Sequence, residues 1–166
     1  VYVSCDYGTQ NATVFLMWTK NCGKWICIKE YYYCGRDKLR QKTDSEYAAD
    51  MKQWLDNVEP KRIVVDPSAA SFIAELRKKG YRVKKEVLDG IRYTSTMLEN
   101  EKIAISSCCE NTIKEFRSYM WDSKAAQRGE DRPLKEHDHC MDAMRYFTYT
   151  IMRQEKVKVK GFKEGI

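Results

Sequence analysis

The first thirty-odd residues carry their apolar positions in short strand-length blocks, and most of the remainder carries them at helical spacing. Val1 to Cys5, Thr13 to Thr19 and Trp25 to Tyr33 read as three strands. Asn21-Cys-Gly-Lys is a turn signal between the last two, so antiparallel hairpins are expected. Thr43-Asp-Ser-Glu then caps a helix bearing Tyr47, Met51, Trp54 and Leu55, which ends before Pro60. Arg62 to Asp66 is a short strand, and Ala69 to Lys79 a helix with Phe72, Ile73 and Leu76 inward, stopped by Gly80. Tyr81 to Lys85 and Lys102 to Ile105 are strands, and Leu88 to Leu98 and Cys109 to Met120 are helices, the latter with Ile113, Phe116 and Tyr119 or Met120 inward. Tyr119 to Lys124 and Arg132 to Lys135 flank a polar loop or hairpin tip. A final helix from about Asp138 to Met152 buries Met141, Met144, Phe147 and Ile151.

Three antiparallel strands followed by alternating helices and strands predict an α/β fold, a mixed central sheet with helices on both faces. This order resembles a ribonuclease H-like fold. By that analogy, rather than by periodicity, the first strand is central and the strand ending at Asp66 lies beside it.

Three aspartates stand where buried elements meet solvent: Asp6 after Val1-Tyr-Val-Ser-Cys, Asp66 after Ile63-Val-Val, and Asp142 in His139-Cys-Met-Asp. A carboxylate at the end of an apolar strand is costly unless hydrogen-bonded, paired or metal-bound. Asp66, before Pro67-Ser68, also suits the entry to a helix. On the last helix Asp142 shares a face with His139 and Asp138, and Asp138 suits an N-cap. His139 is either a first-turn residue without a chemical task or a partner of the adjacent aspartate.

The 166 residues make one domain able to bury a core, and 43% hydrophobic with 33% charged residues fits a globular chain. No run approaches a membrane span and no signal-peptide pattern opens the chain, so no membrane partner is expected. Val1 already lies inside a strand, as in a fragment of a longer protein. Lys and Arg outnumber Asp and Glu by 30 to 24, an excess of +6 that points to a polyanionic partner or to a solvated basic surface. The sequence divides into a domain over 1–153 and a basic tail over 154–166 that alternates lysines as Lys156-Val-Lys-Val-Lys160. The seven cysteines form no Cys-x-x-Cys pair, and most are expected to be reduced and buried. His137-Asp-His139-Cys140 lacks the second ligand cluster a closed zinc site needs. Tyr31-Tyr-Tyr33 is expected to serve packing rather than base stacking, since strand alternation turns at least one ring inward.

Asp6-Tyr-Gly, Val65-Asp66-Pro67-Ser68-Ala69, Val87-Leu-Asp-Gly-Ile91-Arg92, Tyr119-Met-Trp-Asp122 and Asp138-His-Cys-Met-Asp142-Ala-Met-Arg-Tyr146 together resemble the C-terminal nuclease domain of tailed-phage large terminase subunits, prophage copies included. The resemblance runs in order over nearly the whole chain, and its closing motif is the most specific part. Cys140 and Met144 replace the commoner Ala and Leu, and the stretch Val83 to Val87 is a few residues short. No Gly-x-x-x-x-Gly-Lys-Ser/Thr loop occurs, so the ATPase domain of such subunits has no counterpart here.

The resemblance implies an endonuclease that cuts concatemeric double-stranded viral DNA in the cytoplasm of a bacterial host. It implies Asp6, Asp66 and Asp142 as metal-binding carboxylates, Asp6 bridging, with His139 beside them as a catalytic residue. Two Mg²⁺ or Mn²⁺ ions are the expected cofactors, since hard cations prefer oxygen ligands and a metal pair stabilises both attacking and leaving oxygens. Arg92, Lys124, Arg128 and Lys135 are candidate DNA-phosphate contacts. An ATPase domain, a small terminase subunit and a portal protein are the partners implied. The alternatives are another ribonuclease H-like nuclease, such as a junction resolvase or RNA-hybrid nuclease, and a non-catalytic DNA-binding module whose aspartates only cap helices.

Overall fold

Strand alternation sorts the sheet residues onto two faces, and each face acquires its own core. The computed structural model describes residues 1–9, 11–85, 90–119, 128 and 137–154. Its strands are β1 (Tyr2–Asp6), β2 (Ala12–Asn21), β3 (Lys24–Cys34), β4 (Ile63–Val65), β5 (Val83–Lys85) and β6 (Ile103–Ile105). They form one six-stranded sheet in the order β5-β4-β1-β2-β3-β6. β2 runs antiparallel to both β1 and β3, whereas β4 lies parallel to β1, β5 to β4 and β6 to β3. The expected neighbour relation therefore holds, with β1 near the middle and β4 beside it.

The helices are α1 (Asp44–Leu55), α2 (Ala70–Lys78), α3 (Ile91–Glu99), α4 (Glu110–Ser118) and α5 (His139–Phe147). Val3, Cys5, Phe15, Met17, Ile63 and Val65 pack against the apolar sides of α1 and α2. On the other face Val14, Leu16, Trp18, Trp25, Cys27 and Val64 meet α5 and its surroundings. α1 starts as expected: Thr43 and Glu46 form a reciprocal capping box.

One irregularity matters for the second face. Met17 pairs with Lys29 but Trp18 pairs with Cys27, so Ile28 is the extra residue of a β-bulge. Before the bulge Trp25 and Cys27 face α5; after it Tyr32 does, while Tyr31 and Tyr33 pack on the α1 and α2 side. All three tyrosines serve packing, as expected.

Two expectations are corrected. The final helix does not run uniformly to Met152, because Thr148–Met152 forms a π-helical turn. There the Thr148 hydroxyl donates to the Arg145 carbonyl at 3.0 Å and meets the Thr94 hydroxyl at 2.6 Å, offering the backbone an alternative to the regular ladder. α4 also does not bury Ile113 and Phe116: it buries Thr112 and Glu115, and Phe116 is 45% exposed. Its inward face is polar because its neighbours supply hydrogen-bond partners for those two side chains. The segment from Met120 to Lys135, apart from Arg128, and the tail from 155 onward lie outside the described residues, as do 86–89, on which the shortened stretch near Val83 to Val87 falls.

Candidate carboxylate site

The site follows from parity. Tyr2, Ser4 and Asp6 share one face of β1, set against Trp18, Leu16 and Val14 of β2. Ser4 is paired in register with Val64 and Cys5 with Val65, so Asp66, one step past β4, belongs to the same face and end of the sheet as Asp6. α5 crosses this face. Its Phe147 stacks on Trp18 with centroids 4.3 Å apart and meets Trp25 edge-on at 5.0 Å, which fixes the helix's rotation. With Phe147 held down, His139, Asp142 and Tyr146 face the strand ends.

Asp6 Oδ2 and His139 Nδ1 are 2.9 Å apart, both side chains being mostly buried. Burial pushes the Asp6 carboxyl above its usual range; the His139 hydrogen bond opposes the shift, and the Asp142 charge adds to it. The bond to Asp6 in turn raises the His139 pKa against the opposing effect of burial. Asp66 is held by hydrogen bonds to both of its oxygens. Its Oδ1 accepts the Ser68 N–H at 2.7 Å in a turn leading into α2, and its Oδ2 accepts the Tyr146 hydroxyl at 3.0 Å. Burial alone would raise this carboxyl, but those hydrogen bonds and the Arg145 charge leave it below the usual value. Asp142 forms an ion pair with Arg145, Oδ1 to Nη2 2.8 Å.

Asp138 occupies the N-cap position of α5, yet its side chain makes no capping hydrogen bond. Glu115 takes that role from α4: its Oε2 accepts the Cys140 N–H at 2.6 Å. Burial pushes the Glu115 carboxyl up to about 7. α4 is fixed likewise, for Glu30 of β3 accepts the N–H groups of Asn111 and Thr112 at 2.8 and 2.9 Å. Two carboxylates thus stand at successive helix N-termini, where positive dipole ends favour them. Asp138, 5% exposed, lines the site instead.

These groups open on a cleft of about 620 Å³ lined by Asp6, Tyr7, Tyr32, Arg36, His139 and Asp142 among others. Among the described residues no three His, Cys, Asp or Glu side chains converge into a ready-made metal cage. The Asp142 charge acts on Asp6, with which it lines the cleft, whereas Asp66 is linked to them through Tyr146, whose hydroxyl pKa is raised by burial and by all three aspartates. Arg92, in the first turn of α3, and Arg128 are exposed; Lys124 and Lys135 fall outside the described residues. The His137-to-Cys140 cluster does not converge either: Cys140 is fully buried, while His139 turns to Asp6. Sequence reasoning gave no role to Glu115, Arg145 or Tyr146. The last two lie inside the closing motif, while the Thr112 and Glu115 spacing of three was the only trace of α4's polar face.

A family model described as the terminase RNaseH-like domain matches residues 11–149. The large terminase subunit of Escherichia phage T5 is 30% identical over 130 residues, covering 74% of this chain and 30% of that protein. Among solved structures, the large terminase of the thermophilic bacteriophage D6E in complex with ADP superposes with a TM-score of 0.87 at 52% identity, over 91% of this chain and 39% of that one. The nuclease domain of the bacteriophage SPP1 large terminase, solved with bound Mn, shares the fold at a TM-score of 0.64 and 20% identity, covering 87% of this chain and 82% of that one. The chain thus spans well under half the length of the T5 and D6E proteins. With its mixed six-stranded sheet and its carboxylates at the ends of β1 and β4 and on α5, it has a ribonuclease H-like fold and belongs to the family of phage large-terminase nuclease domains.

Proposed function

We propose that this domain is a divalent-metal-dependent endonuclease that cuts concatemeric double-stranded DNA during phage genome packaging. The observation that supports this reading is that Asp6 and Asp142, from a strand and a helix, line one open cleft, while Asp66 stands on the same face and end of the sheet, bonded to Tyr146 of the same helix. Their donor chemistry fits a hard cation: all are carboxylate oxygens, and the burial and neighbouring Asp142 charge that oppose ionisation of Asp6 are what a cation would relieve. Asp6, Asp66 and Asp142 would hold a pair of Mg²⁺ or Mn²⁺ ions. Such ions supply an activated water and charge stabilisation at the phosphate. The Mn bound to the SPP1 domain supports a divalent cofactor.

The chain's own residues do the positioning. His139 holds Asp6 through Nδ1, Tyr146 and the Ser68 amide hold Asp66 in its ionised form, and Glu115 fixes the start of α5. Arg36 lines the cleft, and with Arg92, Lys124, Arg128 and Lys135 it offers cations for DNA phosphates. In the complete motor the domain would work beside an ATPase domain, a small terminase subunit and a portal protein, in the host cytoplasm.

The test is cleavage of supercoiled plasmid with Mn²⁺, Mg²⁺ or EDTA, beside folded Asp66→Ala and Asp142→Ala variants. Metal-dependent nicking and linearisation lost in both variants is expected. Metal-independent cutting, or cutting that survives both substitutions, would overturn the assignment. DNA binding without cleavage under any metal would favour a binding module.

A further inference from the structure

Arg145 brings a positive charge into an acidic site. Its Nη2 lies 2.8 Å from Asp142 Oδ1, with the two side chains 18% and 11% exposed. Helix geometry alone brings residues at i and i+3 together, so the pair needs no outside element to form it. Two other observations show that the arginine is seated rather than draped over the surface. Gly90, the N-cap of α3, packs where a Cβ would come within 2.7 Å of Arg145 Cγ and 3.2 Å of Tyr149 Cβ. The Arg145 Nε is buried with no hydrogen-bond partner among the described residues, a cost borne while the far end of the fork sits on Asp142. The guanidinium also lies 5.5 Å from the Tyr146 ring centroid, and its charge reaches Asp66.

We propose that Arg145 is the resident counter-ion of Asp142, neutralising that carboxylate in the absence of metal and competing with a metal ion for it. The inference rests on the metal-dependent reading above. A guanidinium stays protonated at any working pH, so pH does not remove this competitor. A cation that binds Asp142 must share the carboxylate with Arg145 or displace it, and either lowers the affinity the aspartates would otherwise have.

The experiment is calorimetric titration of Mn²⁺ into the wild-type chain and Arg145→Gln, each also in an Asp142→Asn background, with melting in EDTA recorded alongside. Arg145→Gln is expected to melt lower in EDTA yet bind Mn²⁺ about tenfold more tightly, and the gain should vanish once Asp142 is Asn. An unchanged or weaker affinity in folded Arg145→Gln, while the wild type binds Mn²⁺, overturns the inference and leaves the nuclease reading standing. Failure of both chains to bind Mn²⁺ overturns the two together. Should Arg145→Gln not fold, Arg145→Lys keeps the charge but loses the planar fork. It is expected to bind Mn²⁺ more tightly by a smaller factor, and equal or weaker binding overturns the inference there as well.

Discussion

Glu115 of α4 accepts the backbone N–H of Cys140 in the first turn of α5 at 2.6 Å, so a buried carboxylate from one helix closes the start of the next. Burial raises this carboxyl from 4.5 to about 7. The unfolded chain ionises first, so the folded state binds the extra proton in that window and loses stability as pH rises from about 4.5 to about 7. Glu115→Gln keeps an acceptor for the Cys140 amide and has no such titration. Thermal melts of both chains in EDTA should show the stability of Glu115→Gln improving relative to wild type across that window. A pH-independent difference would contradict the shift.

The Asp6 and His139 pair gives a dependence on the other group. With the His139 pKa raised above 6.5 by its bond to Asp6, protonated His139 stabilises the fold. That contribution is fully present below the unfolded pKa and is lost as pH rises through the folded one. His139→Gln should therefore cost about 1–3 kcal/mol at the acidic end, where Asp6 is still ionised, and progressively less above the raised value. Urea unfolding of both chains in EDTA across this range measures it.

How much of this could be read from the chain depends on which contacts are local. Fold analogy rather than periodicity set the Asp66 strand beside the first and so brought Asp6 and Asp66 together, and the spacing of three put Asp142 beside His139. Asp66 takes up the turn role with one oxygen, and its other oxygen accepts the Tyr146 hydroxyl, a long-range partner that local sequence does not announce. The polar face of α4 was not legible. Ile113 and Phe116 set an apolar rhythm, and only the arrival of Glu30 and the α5 amides turns Thr112 and Glu115 inward. Asp138 looked like a cap for the same reason: the residue type suits the position, and only tertiary structure shows another carboxylate there.

Phe147 holds α5 to the sheet through Trp18 and Trp25. Phe147→Ala should destabilise the chain by about 3–5 kcal/mol. Where it remains folded, it should lower metal-dependent cleavage more than a surface substitution does, because the rotation of α5 sets the direction of Asp142. Chemical denaturation and plasmid cleavage on the same preparations test both halves, and full activity in a folded Phe147→Ala chain would show that Phe147 only fills space.

Tyr146→Phe removes the hydroxyl that Asp66 accepts at 3.0 Å and leaves the ring. The expected cost is about 1–2 kcal/mol of stability, together with an upward shift of the Asp66 pKa. Cleavage should then require a higher pH, since metal binding needs the ionised carboxylate. The cleavage rate of both chains as a function of pH at fixed Mn²⁺ decides this, and superimposable profiles would argue against it.

Ile28 makes the whole of β3 behave like text with one inserted letter. Residues up to Cys27 are read in one frame and residues from Lys29 onward in the other, and only in the second does Glu30 reach the amides of Asn111 and Thr112. Loss of Ile28 would cancel the insertion and leave Glu30 and Tyr32 on the faces they occupy now. Loss of Tyr31, an equally short deletion, would turn Tyr32 and Tyr33 to the wrong sides. Two deletions three residues apart, identical in length, should thus divide into one the strand absorbs and one it does not.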